Sequence, residues 1–283
     1  MSEVSVVTLN KGRDGHLRRL VEGLARGGMP RELVVVDMGP PARDLPSLAC
    51  PVRRIALPGE GLPLAAARNA GRQAASGDVL VFLDVDCSPS AGLVPVFADV
   101  LGRHDALVCC AVRYLPSGAV GEAWTEADLV EAGRLHPART FPEQGVAPVA
   151  QPGLFWSLAF GIRRSSFDRV GGFDEAFEGY GAEDTDFAFR AVAAGLPLLF
   201  AGGAQAFHQH HAVYDPPLQH FSDIVRNARL FRAKHGLWPM DGWLDAFVAL
   251  GLLSADRSGD LAVLREPSRA EIEAARLGPN QVF

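Results

Sequence analysis

One stretch constrains this chain more than any other: Gly77–Ser88, GDVLVFLDVDCS. Val79 to Leu83 is an unbroken apolar run, which reads as a strand buried on both faces, as in the parallel sheet of an α/β protein. It runs straight into Asp84 and Asp86. Where such a strand ends, the chain emerges at the rim where open α/β sheets bind ligands. Two carboxylates there are costly unless something cationic meets them. Hard oxygen ligands suit Mg²⁺ or Mn²⁺. The plainer alternative has Asp84 ending the strand and Asp86 capping a turn before Ser88-Pro89.

The residues ahead of this stretch repeat one arrangement, an apolar strand with polar groups collected just after it. Val4–Leu9 reads as a strand and His16–Leu24 as a helix, with Asn10-Lys11-Gly12-Arg13-Asp14 as a polar loop between them. Leu33–Val36 is a second strand, ending in Asp37, and Val52–Leu57 a weaker third. The turn Pro58-Gly59-Glu60-Gly61 leads to an Ala-rich helix over Leu64–Ala75, with Arg68 and Arg72 on one face. This is the pattern of a nucleotide-binding α/β half. It has no G-x-G-x-x-G after its first strand and no G-x-x-x-x-G-K-[ST], so neither a dinucleotide fingerprint nor a P-loop is present.

At 283 residues the chain has room for one large domain or two small ones. A net charge of −6 argues against a general nucleic-acid binder. No apolar run approaches the roughly 20 residues needed to span a bilayer. Met1-Ser2-Glu3 opens no signal peptide, and Cys50, Cys87, Cys109 and Cys110 lack C-x-x-C spacing. The four read as small buried residues of a reducing compartment, and the expected location is cytoplasmic.

Beyond Ser88 the pattern predicts a helix over Ser90–Leu101, a strand over Ala106–Tyr114 and a mixed segment over Pro116–Ala150, with helix around Glu122–Leu135. Gly153–Arg163 is apolar and aromatic, Ser165–Val170 is a short helix, Pro197–Phe200 is strand-like and Phe221–His235 is an amphipathic helix. The tail from Asp241 carries two weak helical patterns around Arg257-Ser258-Gly259-Asp260.

The second informative stretch is Phe173–Arg190, FDEAFEGYGAEDTDFAFR. Its spacing puts Glu183, Asp184 and Asp186 in the first turn of a helix, where acids are favoured by the dipole in any case. Asp186 and Arg190, four apart, also fit a surface pair. A carboxylate beside a Gly-Tyr-Gly turn is nevertheless well placed as a general base for a substrate hydroxyl. His208, His210 and His211 form the one histidine cluster, and an imidazole from it would complete a metal site begun by Asp86. The alternative is an exposed loop histidine. Lys11, Arg13, Arg68 and Arg72 are cations suited to a diphosphate, and Trp156 and Tyr180 are aromatics suited to a sugar face.

Taken in order, these motifs resemble the inverting GT-A glycosyltransferases, family 2 in particular, with a C-terminal half similar to β-1,4-galactosyltransferases. Asp84-Val85-Asp86 resembles D-x-D, and Ala67-Arg68-Asn69-Ala70-Gly71 the A-R-N-x-G helix. Lys11-Gly12-Arg13-Asp14-Gly15-His16-Leu17 is similar to R-N-R-x-x-H-L, and Gly171-Gly172-Phe173-Asp174-Glu175 to G-G-F-D-E. Tyr180-Gly181-Ala182-Glu183-Asp184-Thr185-Asp186 resembles W-G-G-E-D-D-D, with Tyr, Ala and Thr as departures. The similarity covers roughly residues 4–235, judged by motifs in order.

The resemblance implies a Rossmann-like, mostly parallel α/β sheet flanked by helices. It divides into a nucleotide-sugar-binding half over 1–115, an acceptor and catalytic half over 116–235, and a helical extension over 236–283. It implies a nucleotide site of Thr8, Asn10, Lys11, Arg13, Asp37, Arg68, Asp84 and Val85, and a Mn²⁺ or Mg²⁺ ion on Asp86 and His208, with His210 as the rival ligand. Glu183 would hold the donor sugar, Asp184 would take the acceptor proton, and Trp156 and Tyr180 would meet sugar or acceptor. The implied activity is transfer from a nucleotide sugar, a UDP-sugar first, to an acceptor hydroxyl. Competing readings are a sugar-nucleotide-forming nucleotidyltransferase, a haloacid-dehalogenase-type phosphatase and a non-catalytic nucleotide-sugar binder. The phosphatase wants its aspartates on the first core strand, and here they come at 84.

Overall fold

A computed structural model of the chain describes residues 4–41, 45–59, 61–121, 123–256 and 259–282. The expectations placed on Met1-Ser2-Glu3, Glu60, Glu122 and Arg257-Ser258 lie outside the described residues. In chain order the elements are β1 (Val4–Asn10), α1 (Asp14–Arg26), β2 (Glu32–Asp37), β3 (Val52–Ala56), α2 (Leu64–Ala74), β4 (Val79–Leu83) and β5 (Cys87–Pro89). Then follow α3 (Leu93–Arg103), β6 (Leu107–Tyr114), α4 (Glu126–Ala132), β7 (Arg134–Leu135), β8 (Val146–Val149), β9 (Ala159–Arg163), α5 (Arg164–Val170) and α6 (Glu183–Ala193). The chain finishes with β10 (Leu198–His208), α7 (Phe221–His235), α8 (Asp241–Ala249) and α9 (Arg269–Ala274).

The strands form one sheet, in the order β3-β2-β1-β4-β9-β6-β10-β5. The block β3-β2-β1-β4 is parallel throughout, and every side chain of β1, β2 and β4 is buried, as continuous apolar strands require. The strand β9 then enters antiparallel to both β4 and β6, while β6 and β10 are parallel. The sheet is therefore parallel on its N-terminal side and mixed beyond it.

Alternation along the strands divides the core into two layers. On one face Val4, Val6, Leu33 and Val81 pack with Leu17, Leu20 and Val21 of α1 and Phe97 of α3. On the other Val7, Val34 and Phe82 pack with Ala65 and Ala67 of α2, Phe167 of α5 and Phe187 of α6. Gly71 lets α2 lie directly on β1, because a Cβ there would run into Val7. A third cluster joins α7 and α8 through Phe221, Ile224, Leu244 and Phe247 and takes in the partly buried Tyr180.

Local signals located most elements, and α7 covers the expected residues in full. Three differ. The strand expected over Pro197–Phe200 continues to His208, because Gly202-Gly203 makes a bulge between Ala201 and Gln205 instead of ending the strand. The helix expected around 122–135 shrinks to Glu126–Ala132, started by a Thr125–Asp128 capping box. β5 forms although Cys-Ser-Pro carries no strand signal of its own. All four cysteines are free and buried. No helix among the described residues is long and apolar enough to cross a membrane.

Candidate active site

The short strand β5 builds the site. Immediately after Asp86 it pairs antiparallel with the end of β10, in a register that sets Cys87 opposite His208. The Gln209 N–H donates to the Asp86 carbonyl at 2.7 Å, closing the corner. Asp86 Oδ1 thereby lies 3.6 Å from His208 Nε2, and Asp86 Oδ2 3.4 Å from His211 Nε2. Their donor atoms all fall within 4.8 Å of one another. Asp86 is only 6% exposed, and its Oδ1 has no hydrogen-bond partner among the described residues.

A buried carboxylate with an orphaned oxygen facing His208 and its other oxygen facing His211 suits a divalent cation, and one carboxylate with two imidazoles suits Mn²⁺ better than Mg²⁺. Burial pushes the pKa values of both histidines down, that of His211 to about 4, which favours the neutral ligand form. Burial opposes ionisation of Asp86 too, but His208, Arg13, His211 and His16 around it hold its carboxyl below the usual range. In the structure Arg13 pairs with Asp86 Oδ2.

Along the parallel strand ends the polar groups are tied together. Asn10 sits opposite Asp37 in the β1–β2 register, and its Nδ2 donates to Asp37 Oδ1 at 3.2 Å while its Oδ1 accepts from the Arg13 N–H. Asp37 also accepts a two-pronged bond from Arg54 of β3, at 2.7 and 2.8 Å. Lys11 Nζ donates to the Gly61 carbonyl. Thr8 and Val85 are buried, and the Thr8 hydroxyl lacks a partner among the described residues.

Arg68 ties α2 to the start of α6. It is 3% exposed, and its guanidinium donates to Glu183 Oε1 at 3.0 Å and Ser157 Oγ at 2.8 Å, with Asp84 Oδ1 at 3.5 Å. Ser157 reaches this point because β9 runs antiparallel to β4 and the Asp84 N–H donates to the Leu158 carbonyl. Burial raises the Asp84 carboxyl to about 7 against the pull of Arg68, with Asp86, Glu183 and Asp184 adding to the rise. Burial, then the Asp184 charge, raises Glu183 as well.

Glu183 and Asp184 open α6 as expected, after Ala182 in the left-handed region. Asp184 is half-buried, and its carboxylate accepts from the Thr185 N–H at 2.7 Å and the Ser157 N–H at 3.3 Å. Trp156, half-buried, meets His136 edge-on with centroids 4.7 Å apart and lies over the Arg139 guanidinium. Tyr180 stacks on His220 at 4.4 Å. Burial raises the Tyr180 hydroxyl, and the charges of Glu183, Asp184, Asp84 and Asp86 add to it, placing the ring within the field of all four acids.

Three expectations are corrected. Arg72 is not at the diphosphate side, because it pairs with Asp168 of α5. Asp186 and Arg190 are not a surface pair: Asp186 is fully buried and binds Lys234 at 2.6 Å, Arg190 at 2.7 Å and His235 at 2.9 Å. The rival to His208 is His211, not His210, whose carbonyl instead meets His16 Nε2 at 3.2 Å. Arg54, Ser157 and Arg139 sit in no sequence motif and are brought to the site by the packing alone.

Sheet order and helices on both faces match the GT-A fold of solved glycosyltransferases. The chain belongs to the glycosyltransferase-like family 2, whose family model matches residues 30–199. It is 29% identical over 200 residues to validoxylamine A glucosyltransferase of Streptomyces hygroscopicus subsp. jinggangensis, covering 62% of this chain and 45% of that one. It is 31% identical over 215 residues to the pre-mycofactocin glycosyltransferase of Mycobacterium tuberculosis, covering 74% and 43%. The chain thus spans less than half the length of these relatives. Among solved structures, GalNAc-T7 with UDP, GalNAc and Mn²⁺ superposes with a TM-score of 0.56 at 20% identity, over 75% of this chain and 44% of that one. The mannosyltransferase PcManGT of Pyrobaculum calidifontis, with GDP-Man and Mn²⁺, gives 0.55 at 14% identity, over 88% and 70%. At these identities the likeness shows the shared fold.

Proposed function

We propose that this protein transfers a sugar from a nucleotide sugar, a UDP-sugar first, to an acceptor hydroxyl, with a divalent cation and with inversion at the anomeric carbon. The observation that carries this reading is the unpartnered Asp86 Oδ1 facing His208, with His211 completing the set. Asp86, His208 and His211 would hold the ion, which when bound offsets the charge of a leaving diphosphate. Arg13, paired with Asp86 in the structure, and Lys11 are the nearby cations for the same phosphates. Asn10 and Asp37 would meet the nucleoside.

Glu183, held by Arg68, would meet the donor sugar. Asp184 lies beside it, half-buried, and would take the proton of the attacking hydroxyl. A single displacement with one base inverts the anomeric centre. Solved structures of the same fold hold UDP or GDP-Man, which favours a nucleoside diphosphate donor without choosing the base.

A thermal-shift panel of UDP-, GDP- and dTDP-sugars, each with and without Mn²⁺, tests the reading. A specific ligand at about 100 times its Kd should stabilise the native protein by about 2.7 kcal/mol, because only the folded state binds it. A UDP-sugar shift that disappears with chelator is expected. A flat panel would overturn the proposal, and a GDP-sugar shift alone would replace the uridine assignment.

A further inference from the structure

The turn that delivers Glu183 and Asp184 is strained. Gly179, Gly181 and Ala182 hold φ values of 74°, 95° and 69°, and for alanine that left-handed region is sterically costly. Such a turn persists only where its surroundings over-determine it. Here α7 supplies them. Asn227, 1% exposed, donates through Nδ2 to the carbonyls of Glu178 at 2.9 Å, Gly181 at 2.9 Å and Tyr180 at 3.3 Å. Arg226 donates to the Glu178 carbonyl as well. One turn earlier, the Asp223 carboxylate fills the space that a Cβ on Gly179 would need.

Two turns after Asn227, Lys234 and His235 hold Asp186, so the same helix grips the chain on both sides of the acid pair. The other half of the Asn227 amide points to the purpose. Its Oδ1 is buried without a hydrogen-bond partner among the described residues, a cost that an apolar side chain of the same size would avoid. What this side chain contributes is its donors, which meet three carbonyls of the turn.

We propose that Asn227 is a positioning residue that locks the Gly179–Ala182 turn, so that Glu183 and Asp184 meet donor and acceptor in one geometry. Its kinetic consequence rests on the glycosyltransferase reading; its structural consequence does not. Asn227→Asp keeps the size and turns both donors into an acceptor facing three carbonyls. Asn227→Ser keeps one donor and serves if the aspartate variant fails to fold. With the full chain, amide hydrogen exchange over residues 179–186 should quicken about tenfold or more in either variant, while exchange in β1, β2 and β4 stays unchanged.

In a transfer assay, kcat should fall up to about a hundredfold, the scale of a small misplacement of reacting groups, with Mn²⁺–UDP affinity within about twofold of wild type. Unchanged exchange over 179–186 in a folded variant would overturn the proposal. So would a general rise in exchange with loss of UDP binding, which is the mark of a purely structural residue. If the wild-type protein binds no nucleotide sugar, the functional reading fails, and the exchange measurement still decides for or against the clamp.

Discussion

Arg68 Nη1 lies 3.0 Å from Glu183 Oε1, and neither side chain reaches solvent to any useful degree. The pair joins the helix that follows the weak third strand to the first turn of the helix carrying the acid pair. A buried ion pair adds little stability over an apolar pair, but losing one partner strands the other charge.

Arg68→Met should therefore cost about 3–5 kcal/mol of stability, read as a lower urea midpoint at an unchanged slope. Adding Glu183→Gln should recover part of the loss, because the two changes share one interaction. Strict additivity of the two substitutions would show that the pair is not coupled.

The histidines divide cleanly. His208→Ala and His211→Ala should each lower Mn²⁺ affinity at least about tenfold, followed by electron paramagnetic resonance of free Mn²⁺. His210→Ala should leave it unchanged, since His210 stands outside the Asp86–His208–His211 set. Loss of affinity on the His210 substitution alone would reassign the ligand.

Asp184→Asn should lower kcat by about 10²–10⁴ and leave donor binding nearly intact, as expected for a base needed in the transition state. The substitution preserves the acceptor oxygen that meets the Thr185 N–H, so the start of α6 is retained. Proton NMR of the product should show the anomeric configuration opposite to the donor's. A retained configuration would remove Asp184 from the role of base in a single displacement.

Asp186 should make the protein acid-labile. Burial pushes its carboxyl up, but hydrogen bonds from Lys234, His235 and Arg190 outweigh it, and the folded-state pKa lies below the usual value. A depressed folded pKa contributes stability above the unfolded value of about 3.9 and loses it as pH falls through the folded one. Asp186→Asn should cost about 3 kcal/mol at pH 7, toward the low end for a broken buried pair because Lys234 and Arg190 are partly exposed. The gap between wild type and variant should close below about pH 4, as seen in urea midpoints across pH. A gap that stays constant to pH 2 would show that the charge on Asp186 contributes nothing.

Elements whose signal is local were legible from residue order alone. Val79–Leu83 is apolar over its whole length because both faces are covered, and Phe221–His235 repeats its apolar residues at the helical period. Glu183 and Asp184 announce a helix start by charge. The D-x-D and E-D segments could be named for the same reason: each is a short run whose spacing carries its chemistry.

Tertiary structure decided how those runs meet. His211 joins Asp86 because three residues with no strand signal, Cys87–Pro89, pair with the end of β10, and that register is set by distant backbone. Asp186 is buried because α7 folds back over α6, which no i,i+4 pattern reveals. Arg68 and Arg72 share a helix face in sequence, yet one enters the core to meet Glu183 and the other turns to Asp168. Periodicity reports which side of an element is apolar. Only the packed molecule decides which charge lies opposite, because desolvation and pairing depend on neighbours far away in the chain.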